Sequence, residues 1–220
     1  MTTKELSLVH LVRPPKSNAE KAPLFLLIHG YGADEKDLFG FARHIPENFC
    51  VISIQAPIKL SFGGYAWYEL DFTKIDEIAN IPQALESKNK IISFIEEAIQ
   101  AYYIDSKQIW LCGFSQGCIL SYALAMSYPE KIHRIIGMSG FPEKEIIGTI
   151  PKKEAITHQK YFISHGTSDP VIPIFLGREG KSLLANLEAD FVYKEYLAGH
   201  TIDQENYFDI MDWITENIKN

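Results

Sequence analysis

The sequence predicts an α/β fold, with one mostly parallel β-sheet and helices on both of its faces. Two observations lead to this prediction. Short apolar segments that suit strands alternate with longer segments whose apolar residues recur at helical spacing. Segment 24–28 has no polar residue, which is typical of a strand covered on both faces. A chain of 220 residues can also bury a core without disulfides or a structural metal. We therefore expect residues 1–220 to form a single domain.

Each strand and helix is predicted from its own pattern. Pro14 and Pro15 end a first strand at the edge of the sheet. Asp34 is predicted to cap a first helix that reaches Ile45. The predicted strands are 6–12, 24–28, 50–54, 108–112, 132–138, 161–164 and 191–197, and the later helices are 88–103, 118–128 and 204–218. Because strands and helices alternate, the carboxyl ends of the strands meet at one edge, where ligands of such sheets bind.

Charge and composition argue against several classes of function. The formal net charge is −7 and the basic residues are scattered, so nucleic acid is not an expected partner. Cys50, Cys112 and Cys118 lie in apolar or small-residue surroundings without metal-ligand spacing, so we expect reduced, buried thiols and no bound metal. No apolar run is long enough to span a membrane, and the first dozen residues lack the pattern of a signal peptide. We expect a cytoplasmic protein without stable membrane insertion.

A nucleophile motif occupies residues 113–117, which read Gly-Phe-Ser-Gln-Gly. This G-x-S-x-G motif stands between a predicted strand and a predicted helix, the arrangement of the nucleophile elbow in α/β-hydrolases. A sharp turn there exposes the hydroxyl of Ser115, and glycines leave room where the two backbones crowd. The alternative is a tight glycine-rich turn with an idle serine, since the motif alone also arises by chance.

A serine nucleophile needs a base to take its proton and an acid to orient that base. In this fold the chain order is Ser, then Asp or Glu, then His. Of the histidines after Ser115, only His165 and His200 lie at the ends of predicted strands, and only His200 has a suitable acid before it. That acid is Asp169, in the turn after strand 161–164. The predicted triad is therefore Ser115, Asp169 and His200.

Two backbone N–H groups are predicted to stabilise a developing oxyanion. The N–H of Gln116 opens the helix after the nucleophile, and the N–H of Tyr31 lies in the glycine-rich turn after strand 24–28. His29 precedes this turn and also precedes the serine in the chain. We expect His29 to hold the turn by hydrogen bonds and not to act as the base.

Five segments together resemble the phospholipase/carboxylesterase family, which includes acyl-protein thioesterases and related bacterial esterases. They are LFLLIHGYGAD at 24–34, GFSQG at 113–117, MSGF at 138–141, HGTSDPVIP at 165–173 and AGH at 198–200. The resemblance implies an α/β-hydrolase with little or no cap domain that hydrolyses esters without a cofactor, and it implies frequent homodimers. It also implies short- or medium-chain acyl substrates, sometimes thioesters or lysophospholipids.

The substrate pocket is predicted less directly than the triad. Loop 61–69 corresponds to an aromatic region of the family. Its Trp67 either lines the acyl pocket or packs inside the loop. Phe114 and Val171, which neighbour the predicted triad in sequence, are further pocket candidates. The natural substrate does not follow from these residues. It is expected to be a small acyl ester or thioester.

Four other functions are alternatives to ester hydrolysis. A serine peptidase would need more elaborate substrate positioning, and an enzyme like dienelactone hydrolase would carry Cys in place of Ser115. A noncatalytic binding domain would be expected to have lost a member of the triad. The sequence lacks the H-E-x-x-H motif and the paired Cys/His clusters that mark zinc sites, which argues against metal-dependent hydrolysis. Ester hydrolysis remains the predicted function.

Overall fold

A seven-stranded β-sheet forms the centre of the molecule in the computed structural model, which describes residues 3–16, 21–71, 73 and 79–218. The strands are β1 (His10–Arg13), β2 (Ala22–Ile28), β3 (Cys50–Ile54), β4 (Ile58–Lys59), β5 (Tyr65–Ala66), β6 (Ile104–Phe114), β7 (Arg134–Met138), β8 (Lys160–Gly166) and β9 (Asp190–Tyr196). The sheet order is β1-β3-β2-β6-β7-β8-β9, and β4 and β5 form a separate hairpin. Only β1 is antiparallel to its neighbour in the sheet, so the predicted fold class is confirmed.

Helices cover both faces of the sheet. They are α1 (Ile81–Ala101), α2 (Gln116–Ser127), α3 (Lys144–Ile147), α4 (Ile174–Asn186) and α5 (Gln204–Ile218), with 3-10 helices at Leu38–Arg43 and Lys153–Ile156. No helix among the described residues is long and apolar enough to cross a membrane.

Alternate residues of β2 belong to two separate hydrophobic clusters, one on each face of the sheet. Leu24 and Leu26 pack with α1 and α2 on one face, whereas Phe25 and Leu27 pack with the first 3-10 helix and α5 on the other. All four side chains are fully buried. The unbroken apolar run therefore reflects burial on both faces, as predicted. Strand β2 lies inside the sheet, between β3 and β6.

Two predicted helix starts differ from the structure by more than two residues. Asp34 does not cap a helix, because its carboxylate accepts from the N–H of Lys36 within the loop, and the helix that follows is a short 3-10 helix starting at Leu38. Helix α1 begins at Ile81, seven residues before its predicted start. The side chain of Asn80 caps it by accepting from the N–H of Gln83.

Helix α4 was not predicted. Its sequence contains Gly177, and glycine lowers helix propensity, so the helical pattern is weak. The structure gives the reason for this glycine: a Cβ atom at position 177 would lie 2.4 Å from Nδ1 of His165. Tertiary packing of α4 against the end of β8 therefore requires a residue that a sequence pattern treats as a helix breaker.

Candidate active site

Ser115 stands on a sharp turn between β6 and α2. Its backbone has φ 55° and ψ −118°, which lies outside the regions that side-chain-bearing residues ordinarily occupy. The turn is compact because the helix backbone passes close to β2: a Cβ atom on Gly117 would lie 1.9 Å from the carbonyl oxygen of Ile28. Only glycine fits there. This is the geometry expected of a nucleophile elbow.

The three residues of the predicted triad meet at the carboxyl edge of the sheet. Nε2 of His200 lies 3.0 Å from Oγ of Ser115, and Nδ1 of His200 lies 2.7 Å from Oδ2 of Asp169. The side chain of Asp169 is fully buried, whereas that of His200 is 16% exposed. Ser115, on the turn after β6, is 85 residues from His200 in the chain. The two residues meet because the parallel strands before them end at the same edge of the sheet.

Asp169 is held by the backbone of its own loop. Its Oδ1 accepts from the N–H groups of Val171 and Ile172, at 2.8 and 2.9 Å, and this leaves Oδ2 for His200. A carboxylate can only accept, so Nδ1 of His200 carries the proton and Nε2 is free to accept from the Ser115 hydroxyl. The arrangement therefore puts the imidazole in the tautomer that a general base needs.

A second histidine contacts the same acid. His165 is buried, its Nε2 donates to the carbonyl of Ile172 at 2.8 Å, and Nε2 also lies 3.5 Å from Oδ2 of Asp169. Its Nδ1 has no hydrogen-bond partner among the described residues. The sequence places His165 at the end of a strand but does not indicate this contact. Because His165 bonds the backbone and His200 bonds the serine, only His200 has the geometry of a base for Ser115.

The two predicted oxyanion donors have free N–H groups. Within the described part of the chain, the N–H of Tyr31 has no acceptor, although the N–H groups of Gly32 and Ala33 are both bonded. Gln116 is the first residue of α2, where an N–H has no intrahelical acceptor. Gly30, which precedes Tyr31, lies against Ser115, since a Cβ on it would be 3.1 Å from Cβ of Ser115. Both amides therefore lie in segments that border the serine.

His29 holds the turn that carries Tyr31, as predicted. Its Nε2 accepts from the N–H of Ala56 at 3.0 Å, so the proton is on Nδ1, which donates to the carbonyl of Gly30 at 2.7 Å. Burial lowers the pKa of His29 and keeps the ring neutral, which these bonds require.

The three pocket candidates have different surroundings. Phe114 packs its ring on His200, with centroids 4.8 Å apart, and Val171 is 63% exposed beside Asp169. Trp67 has no exposed surface, and its indole N–H donates to the carbonyl of His29 at 2.9 Å. A wall of an open pocket needs an exposed face, so this burial does not fit a pocket wall at Trp67.

The cysteines are all buried and unpaired. Burial raises the pKa of Cys50 to about 12, and it raises the pKa of Cys112 and Cys118 further. Cys118, only three residues after Ser115, is therefore a protonated thiol and a poor nucleophile. Among the residues that the structure describes, no group of three or more His, Cys, Asp or Glu side chains could hold a metal ion.

A parallel sheet with a serine on a strained strand–helix turn, bonded to a histidine and through it to an acid, defines the α/β-hydrolase class. Solved structures share this fold. The chain superimposes on an esterase named PE8 with a TM-score of 0.83 at 24% identity, covering 96% of this chain and 99% of that one. It superimposes on a Bacillus cereus carboxylesterase with a TM-score of 0.82 at 21% identity, covering 96% and 94%.

The chain belongs to the phospholipase/carboxylesterase family, whose sequence model matches residues 11–218. It is 33% identical over 180 residues to acyl-protein thioesterase 1 of Yarrowia lipolytica, covering 75% of each chain. It is 25% identical over 174 residues to a probable carboxylesterase of Oryza sativa, covering 74% of this chain and 63% of that one. The expected family is confirmed, and the protein is a hydrolase that acts on esters.

Proposed function

We propose that this protein is a serine carboxylesterase or acyl thioesterase in which Ser115, His200 and Asp169 are the catalytic triad. The observation that carries the proposal is the continuous hydrogen-bonded chain from Oγ of Ser115 through His200 to the buried carboxylate of Asp169. The proton on Nδ1 and the free lone pair on Nε2 suit His200 to take a proton from the serine.

The proposed reaction has two halves. Oγ of Ser115 attacks the acyl carbonyl while Nε2 of His200 takes its proton, and a tetrahedral oxyanion forms. The N–H groups of Tyr31 and Gln116 donate to this oxyanion. His200 then protonates the departing alcohol or thiol, which leaves an acyl-enzyme. In the second half, water attacks the acyl carbonyl while Nε2 of His200 takes a proton from the water. His200 then gives this proton to Oγ of Ser115 as the bond from Oγ to the acyl group breaks, which frees the acid and restores the hydroxyl.

Asp169 supports both halves and stays a carboxylate throughout. Its buried carboxylate stabilises the imidazolium form of His200 and keeps the ring oriented. All these steps use groups of the chain and water, so the proposed reaction includes no cofactor and no metal. A homodimer and a cytoplasmic location stay predictions.

Exposed apolar side chains around the triad support an acyl substrate. Val171 lies between β8 and α4, Phe175 lies in the first turn of α4, and Leu197 directly follows β9, three residues before His200; they are 63%, 60% and 92% exposed. Phe62, 71% exposed, lies beside Tyr31, with ring centroids 6.1 Å apart. Such a group of apolar side chains suits a hydrocarbon chain. The yeast relative's name, acyl-protein thioesterase, adds support for thioesters as well as oxygen esters.

Hydrolysis of p-nitrophenyl esters from C2 to C12 tests this proposal, with wild type and Ser115→Ala side by side. We expect wild-type turnover of short- and medium-chain esters and a loss of at least about 10³-fold in kcat in the variant. Each methylene that the protein buries raises kcat/KM by up to about fourfold, because burying a CH2 contributes about 0.8 kcal/mol. The length at which kcat/KM stops rising therefore measures the apolar site. Acyl thioesters of the same lengths compare the two leaving groups.

Ser53→Ala is the matched control. Ser53 is buried in β3, and its hydroxyl has no partner among the described residues, so this variant loses a buried serine hydroxyl away from the triad. We expect it to keep wild-type kcat. A folded Ser115→Ala protein with full esterase activity would refute the proposal.

A further inference from the structure

Trp67 joins the two segments that carry the proposed oxyanion donors. Its indole N–H donates to the carbonyl of His29 at 2.9 Å, and its backbone N–H donates to Oε1 of Gln116 at 3.1 Å. His29 lies two residues before Tyr31, and Gln116 carries the second donor itself. One buried residue is thus bonded to both segments, which otherwise belong to the ends of β2 and β6.

Further bonds hold Trp67 and its partners in fixed orientations. The Gln116 side chain also donates through Nε2 to the carbonyl of Tyr68 at 2.8 Å, so both ends of its amide are occupied by loop backbone. The hydroxyl of Ser87, on α1, donates to the carbonyl of Trp67 and ties the loop to the core. These bonds use different groups of the loop. The loop therefore cannot rotate without breaking at least one of them.

His29 connects Trp67 to the first proposed donor, the N–H of Tyr31. Its backbone carbonyl accepts from Trp67 while its ring is bonded to Ala56 and Gly30. The rings of His29 and Trp67 also pack together, with centroids 5.5 Å apart. The carbonyl of the peptide between His29 and Gly30 accepts from Trp67, and the carbonyl of the next peptide, between Gly30 and Tyr31, accepts from the His29 ring. The Tyr31 N–H belongs to this second peptide, so its direction depends on His29, which Trp67 holds.

We propose that Trp67 is a positioning residue that sets the geometry of the oxyanion hole by bonding both of its segments at once. This inference rests on the proposed function, because Tyr31 and Gln116 are the donors only if Ser115 is the nucleophile. Donors held in advance at the oxyanion position act on the transition state more than on the bound substrate. Loss of the bond from Trp67 to His29 should therefore lower kcat and leave KM nearly unchanged.

The Trp67→Phe variant tests the inference, since it keeps an aromatic ring and removes the indole N–H. Loss of a whole oxyanion donor costs about 10²- to 10³-fold in kcat, so a misdirected donor is expected to cost about 10- to 100-fold. We expect KM for a p-nitrophenyl ester to stay within about twofold. The affinity for an alkylboronic acid, which forms a tetrahedral anionic adduct with a nucleophilic serine, should fall by the same factor as kcat.

Trp110→Phe is the matched control. Trp110 is a buried tryptophan of β6 that packs among Phe25, Phe49 and Trp213 in the cluster on the other face of the sheet. A general effect of losing a buried indole would appear in both variants, whereas the positioning effect appears in Trp67→Phe alone. If Trp67→Phe does not fold, Gln116→Met removes the side-chain bonds to the loop and keeps the backbone donor. It should give the same fall in kcat at constant KM.

Two results would overturn the inference. One is a folded Trp67→Phe protein with wild-type kcat and boronic acid affinity, and the other is a change in KM alone, which would make Trp67 part of the substrate site. The inference and the proposed function fail separately. A Ser115→Ala protein that keeps its activity overturns both, whereas an inactive Ser115→Ala protein with wild-type kcat in Trp67→Phe overturns only the positioning role.

Discussion

The two edges of the central sheet both carry buried polar side chains, but these side chains are bonded in different ways. At the amino edge, before β8, Gln159 is fully buried and donates to the carbonyls of Ala125 and Ile132 at 3.0 and 3.1 Å. At the carboxyl edge, Asp169 is bonded to His200, and His200 to the hydroxyl of Ser115. The Gln159 amide donates to main-chain carbonyls, whereas the second network ends on Ser115, the proposed nucleophile.

This difference suits the first network to holding the fold and the second to the proposed reaction. Main-chain carbonyls are fixed by the secondary structure around them, so the bonds of Gln159 can only join elements of the fold. The bonds of the proposed triad link side chains whose protons can move, and they are built on a strained turn at Ser115. A strained backbone of this kind is costly and is typical of functional sites.

The largest expected effect comes from Asp169→Asn. The loop amides that bond Oδ1 can bond the amide oxygen of Asn equally well, so its NH2 faces Nδ1 of His200. Nδ1 must then accept, and the ring proton moves to Nε2, where it blocks transfer from Ser115. We expect kcat for a p-nitrophenyl ester to fall by about 10⁴-fold, as for the same change in another serine hydrolase triad. The midpoint of urea denaturation should change little. A kcat within tenfold of wild type would show that Asp169 does not orient the base.

Gln159→Leu, at the amino edge, should lower the stability of the fold and leave kcat nearly unchanged. The variant leaves buried carbonyls and the hydroxyl of Tyr161 without a partner, so we expect the free energy of unfolding to fall by about 2–4 kcal/mol. Below the unfolding transition, kcat should stay within about twofold of wild type. Urea denaturation and the ester assay on the same samples check both values.

The exposed Gln100→Leu variant is the control for this change, since Gln100 lies on the solvent face of α1. Its stability should stay within about 0.5 kcal/mol of wild type. A large fall in kcat for the stably folded part of the Gln159→Leu protein would contradict the separation between the two edges.

The buried strands β2 and β3 could be predicted from sequence more closely than the start of α1 or the presence of α4. The runs at 24–28 and 50–54 coincide with strands to within a few residues because both are buried on both faces and therefore contain only apolar or small residues. The start of α1 was missed, although Asn80 and the proline that follows Ile81 are ordinary start signals. Helix α4 is different, since Gly177 is explained only by its contact with His165.

The candidate site could be predicted because chain order and strand ends select Ser115, Asp169 and His200 without any distances. Contacts across the sheet could not be predicted in this way. The position of His165 at a strand end does not say that it faces Asp169, and the sequence of loop 61–69 does not say that Trp67 is bonded to His29. These contacts depend on how loops from separate strands pack together, which local patterns do not contain.

Reaction with a fluorophosphonate tests the central claim most directly. Oγ of an activated serine attacks phosphorus and displaces fluoride, so each labelled protein gains one phosphonyl group at a position that peptide mass spectrometry can locate. We expect a single adduct on Ser115 in the wild-type protein, and none in Ser115→Ala. An unlabelled wild-type protein, or an adduct on another residue that survives in Ser115→Ala, would contradict the account.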